Sequence, residues 1–113
     1  MNSVAIFSFR SAAHKLEGMG LHDATLHSVS MHWPSGEVEL SIFLLGGIRV
    51  TLAFQAVTSV TLPRSQPWGP SVSINGAKTL ADDLYELEMQ SGDSLQFRAA
   101  SWSLKIAAVP ADA

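Results

Sequence analysis

Two alternating runs joined by a glycine pair constrain this chain more than any other feature. Val38, Leu40, Ile42 and Leu44 occupy every second position, with Glu37, Glu39 and Ser41 between them. After Gly46-Gly47 the pattern resumes as Ile48, Val50, Leu52 and Phe54, with Arg49, Thr51 and Gln55 in the gaps. Successive side chains of a strand point to opposite faces, so a period of two places all the apolar groups on one side. The glycines supply the positive φ that a tight reversal needs. The segment is therefore expected to form a β-hairpin with one dry face.

The same periodicity extends outward. Val29, Met31 and Trp33 alternate with Ser28, Ser30 and His32, and Pro34-Ser35-Gly36 turns that strand into the next. Residues 25–61 thus read as a three-strand meander whose last strand breaks near Ala56. The segment 63–70 carries Pro63, Pro67 and Pro70 and cannot lie inside a sheet. A short strand over 71–75 is expected to end at an Asn75-Gly76 turn. Tyr85, Leu87 and Met89 alternate next, and Ser91-Gly92-Asp93 turns the chain into Leu95 and Phe97. The apolar phase then moves to Trp102, Leu104 and Ile106, as a β-bulge near 99–101 would produce.

Residues 9–17 carry the helical signal. Phe9, Ala12, Ala13 and Leu16 follow i, i+3, i+4, i+7 spacing, Ser8 can cap, and Gly18 stands at the C′ position. The neighbouring stretch from Val4 to Phe9 reads equally as a buried strand. The expected fold is mainly β, about seven antiparallel strands in a sandwich or partly open barrel with one short N-terminal helix. A length of 113 residues fits a single domain, 1–113.

Composition excludes several function classes. No cysteine is present, which removes disulfides, thiol nucleophiles and thiolate metal sites. Seven Lys+Arg against ten Asp+Glu give a net charge of −3, and the scattered cations argue against nucleic-acid binding. The first residues have no basic n-region, and Arg10 interrupts their apolar run, which argues against a signal peptide. The apolar stretch 40–54 contains two glycines and Arg49 and is too short to span a bilayer. A cytoplasmic protein without a membrane role is expected.

No catalytic constellation is legible, and no enzyme, metal or cofactor is expected. His22, His27 and His32 stand five apart, which sends neighbours to opposite faces of an extended strand instead of toward one metal ion. His22-Asp23 would make a general-base pair only within a tight turn, and an Asx-type turn at Asp23 is the simpler expectation. Nucleophile-elbow, phosphate-loop and dinucleotide patterns do not occur. Two features suit a partner surface instead. Asp82, Asp83, Glu86 and Glu88 put four carboxylates into seven residues, a negative stripe able to steer a basic protein or simply a wet strand face. Trp68, held among Pro67, Gly69 and Pro70, suits an interface anchor as well as a lid on the core.

His22-Asp23-Ala24 resembles an opening motif of small bacterial immunity proteins from toxin–immunity systems. The stretch Val50-Thr51-Leu52-Ala53-Phe54-Gln55-Ala56-Val57 resembles the strand that follows in such families. Residues 67–75 and Gln90-Ser91-Gly92-Asp93 resemble segments of other small bacterial proteins. The resemblance implies a non-enzymatic protein that binds and blocks a basic toxin. A homo-oligomeric structural or accessory module, for example a homodimer, is the alternative, and a small-molecule-binding β domain the third.

Overall fold

The computed structural model describes residues 5–65 and 72–108. The described residues form nine strands: β1 (Ala5–Arg10), β2 (Thr25–His32), β3 (Glu37–Phe43), β4 (Arg49–Gln55), β5 (Ser59–Thr61), β6 (Ile74–Ala81), β7 (Leu84–Met89), β8 (Ser94–Arg98) and β9 (Ser101–Ala108). They build two antiparallel sheets, ordered β1-β9-β4-β3-β2 and β5-β8-β7-β6, and neither closes into a barrel. The expected mainly β architecture is present, with more strands than the sequence pattern separates.

The glycine-linked hairpin is β3–β4, in register from Val38 opposite Phe54 to Phe43 opposite Arg49. Val38, Leu40, Ile42, Val50, Leu52 and Phe54 are all buried on its inner face. From the other sheet Ile74, Tyr85, Leu87, Leu95 and Phe97 meet them, and Trp102 and Leu104 of β9 complete one continuous apolar layer. Alternation thus becomes burial, and two half-dry sheets cover each other.

Four local expectations are corrected. Residues 9–17 form no α-helix: Phe9 and Arg10 end β1, a turn follows, and only Leu16–Met19 coil, as a 3-10 turn. An isolated helix this short is marginal, whereas Phe9 and Arg10 gain ladder partners in Leu104 and Ser103. Gly20, at φ 69°, ends the coil, a role expected of Gly18. Asn75-Gly76 is no turn but a register shift inside β6, and the chain reverses later at Asp82-Asp83.

The phase change near Ala99 is likewise no bulge. There the chain leaves β8 in one sheet and enters β9 in the other, so the apolar side must switch. The expected break at Ala56 does occur, and it is the other sheet change: Ala56 takes φ 52° between β4 and β5. The two crossings lie side by side, with Ala100 N–H donating to the Gln55 carbonyl and Thr58 N–H donating to that of Arg98.

Candidate functional site

One end of the two-layer structure gathers chain segments that are far apart in sequence. Leu21 to Ala24 forms a β-turn, closed by Ala24 N–H donating to the Leu21 carbonyl at 3.1 Å. Its third residue, Asp23, has φ 65°, in the left-handed region that a side chain other than glycine tolerates best when short and polar. That backbone turn removes the opposition expected of adjacent side chains, and His22 Nε2 stands 3.4 Å from Asp23 Oδ2. The Asp23 carboxylate therefore does not close an Asx turn on its own backbone, contrary to expectation. It reaches across to accept from Gln90 Nε2 at 2.6 Å.

The bonds continue from these two residues. His22 Nδ1 lies 2.6 Å from the Asn75 carbonyl, and Asn75 Nδ2 donates to Glu88 Oε1 at 2.6 Å. Along the backbone, Asp23 N–H donates to Ile74 O, Ile74 N–H to Ala24 O, and Gln90 N–H to Ser73 O. The β7–β8 turn is held from a third side. Asp93 is buried and accepts from the Ser65 hydroxyl at 3.2 Å and the Ser91 hydroxyl at 3.2 Å. Segments 21–24, 65, 73–75 and 88–93 are thus stitched into one hydrogen-bonded edge.

Beside this edge the two sheets part to leave a recess of ≈ 340 Å³. Leu26, Val29, Leu62, Met89 and Leu95 make it apolar below, while His27, Arg64, Ser91 and Asp93 bring polar groups to it. A few directional polar groups thus stand over an apolar floor.

His22 has both ring nitrogens facing oxygen atoms, so the pair with Asp23 orients the ring and ties it to Asn75. Among the described residues no group of three or more His, Asp or Glu converges as metal ligands would. The other histidines stand apart: His27 meets Phe43 edge-on, His14 meets Phe9, and His32 lies 3.6 Å from Glu39.

The acidic candidates do not form one stripe. Asp82 and Asp83 occupy the β6–β7 turn at the far end, where Asp83 pairs with Arg98 at 2.7 Å. Glu86 lies midway, its side chain only 10% exposed, between Lys78 at 3.5 Å and Gln96 at 3.2 Å. The three occupy one row of the ladder, which explains the burial of a residue on an outer face. Glu88 alone of the four reaches the stitched edge. Trp68 lies outside the described residues.

Asn75, Gln90 and Ser65 carry no chemical signal of their own in the sequence, whereas Asp93 stands among the carboxylates that could include a pair; the segments holding Asn75, Gln90 and Asp93 carry the likeness to small bacterial proteins. Their joint role rests on contacts between distant parts of the chain. No protein-family model, curated protein or solved structure matches this chain. Among the described residues no helix is long and apolar enough to cross a membrane.

Proposed function

We propose that the chain is a non-enzymatic protein-binding domain which engages its partner with the edge built by His22, Asp23, Asn75, Glu88 and Gln90. The hydrogen-bonded chain through these residues carries the proposal, because it ties the 21–24 turn and the turn at Gln90 to strands β6 and β7 before any partner arrives. Loops held rigid on a sheet scaffold lose little freedom on binding, so more of the contact energy remains as affinity. The carboxylates of Asp23 and Glu88 and the neighbouring recess favour a basic partner with one protruding side chain. An immunity-type inhibitor that blocks a bacterial toxin fits this description, in line with the resemblance at His22-Asp23-Ala24.

The experiment is site-specific photo-crosslinking in cells. A photoreactive residue at position 22 should trap one recurrent protein, and the same group at exposed Ala13, on the opposite end, should not. The proposal is abandoned if position 22 traps nothing, or if both positions trap the same species equally. Gln90→Ala, which cuts the link to Asp23, should reduce the crosslink without unfolding the chain.

A further inference from the structure

We infer that a cleft at the end of the molecule away from the stitched edge binds a neutral, hydroxyl-rich ligand, one sugar unit. The segment after β1 and the end of β6 leave an opening of ≈ 360 Å³ there. Tyr85 of β7 and Trp102 of β9 line it, one from each sheet, and are only 4% and 2% exposed. Among the described residues neither the Tyr85 hydroxyl nor the Trp102 indole N–H has a hydrogen-bond partner. No side-chain nitrogen or oxygen sealed from solvent lacks one, so both groups reach open space. Trp102 belongs to the inner apolar layer, so its ring meets that space between the sheets. Buried polar groups are nearly always paired, and two such donors at one cleft mark where an outside acceptor belongs.

The undescribed stretches attach too far away to supply that acceptor. Ala5 and Ala108 face each other at the other end of β1 and β9. Ser11 and Trp102 each lie roughly 20 Å from them along the strands. Residues 1–4 and 109–113 extend about 18 Å at most. Ser65 is held on Asp93 and Val72 beside Leu26, so the six residues between these anchors reach roughly 12 Å from them. Thr79 of the cleft lies roughly 20 Å beyond Val72.

The polar groups select the ligand. The Ser11 hydroxyl accepts from the Trp102 backbone N–H at 3.2 Å and keeps its own proton to donate. With Tyr85 and Trp102 it makes three donors. An anion is a poor acceptor for them, because burial and then the Asp83 and Asp82 carboxylates already hold the phenol proton above its ordinary range. A cation is opposed by the indole N–H, which only donates, and by Lys15 at the mouth. Glu17 is engaged by the Thr79 N–H at 2.6 Å, which leaves the exposed Asp82 carboxylate as an acceptor. Neighbouring hydroxyls on a ring accept from the three donors and donate to Asp82 at the same time.

The test follows the indole N–H signals of the isotope-labelled full chain by NMR. The chain has three tryptophans, so Trp33→Phe and Trp68→Phe assign the Trp102 signal by elimination. Methyl glucoside, methyl galactoside, methyl mannoside and N-acetylglucosamine are each titrated to about 50 mM, enough to detect millimolar binding. At least one should shift the Trp102 signal saturably and leave that of exposed Trp33 in place. Tyr85→Phe keeps the ring and should weaken that sugar about tenfold, and Asp82→Asn about threefold, with dispersed spectra showing both folded. Tighter binding of the corresponding trisaccharide assigns a glycan chain as the source of the sugar, and equal binding assigns the free sugar. The inference is overturned if none of the four sugars gives a saturable shift, so that the cleft holds only water. Saturation by acetate or methylammonium instead overturns it too, as does unchanged affinity in a folded Tyr85→Phe or Asp82→Asn.

Discussion

Phe54 of β4 stacks on Phe97 of β8 with ring centroids 4.6 Å apart and planes 12° from parallel. Each ring belongs to a different sheet, so this pair joins the two layers directly. Truncating a buried phenylalanine loses its transfer energy and leaves a cavity. Phe97→Ala should cost about 3–5 kcal/mol in urea unfolding, whereas Leu45→Ala in the exposed β3–β4 turn should stay within about 0.5 kcal/mol. Equal effects at the two positions would mean that the layers are held elsewhere.

Tyr85 is the only tyrosine, so its ionisation can be read without assignment. Burial pushes its phenol above the ordinary value, and the carboxylates of Asp83 and Asp82 push the same way. The native protein should therefore show the phenolate absorbance band at a higher pH than the urea-unfolded chain. The folded state holds this proton more tightly than the unfolded one, so the associated stability is complete below about pH 10 and is lost as pH rises through the folded value. Tyr85→Phe should remove that alkaline loss. A native midpoint at or below the unfolded one would contradict the burial described for the ring.

Ala56 holds a left-handed conformation at φ 52° where the chain leaves β4 for the other sheet. That conformation costs an L-residue about 1–2 kcal/mol, and glycine returns part of the gain through unfolded-chain entropy. Ala56→Gly should stabilise the protein by roughly 0.5–1 kcal/mol in chemical denaturation. A loss of stability would show that the methyl group packs favourably enough to outweigh the strain.

Glu86 and Glu88 share a strand face yet should respond differently to loss of charge. Glu86→Gln gives up the attraction of Lys78, which is half exposed, so about 0.5–1 kcal/mol is expected. That difference should shrink near 1 M salt, where the screening length is about 3 Å. Glu88→Gln keeps an oxygen for Asn75 and should change stability by less than about 0.5 kcal/mol. The opposite ranking would assign the structural role to Glu88.

Much of the fold was legible because a half-buried strand writes its burial into alternate positions. The β3–β4 hairpin, the Met89-to-Asp93 reversal and the break at Ala56 all follow from that rule. What misled was a signal with two physical causes. The shift of apolar phase after Phe97 arises from an inserted residue or from a change of sheet, and only the partner strands decide between them. Asn75-Gly76 likewise suits a turn or a bulge. In residues 9–17 the helical spacing was real, but pairing with β9 offered more than a short helix can. The candidate site was visible only in pieces. His22-Asp23, Asn75 and the Gln90–Asp93 turn each stood out locally, whereas their union depends on bonds spanning 53 to 67 residues.

β9 inserts between β1 and β4 in the five-stranded sheet, so an early strand and a late one must meet before that sheet is whole. During synthesis β1 emerges first and finds its ladder partner only after residues 101–108 have been added. At roughly 5–20 residues per second, that interval lasts on the order of 5–20 s. For the later part of this time, once β4 has been made, its flank toward β9 is open, and the nascent chain displays apolar surface that the finished protein hides. Completion of the five-stranded sheet is therefore timed by β9, the last of the described strands to be made.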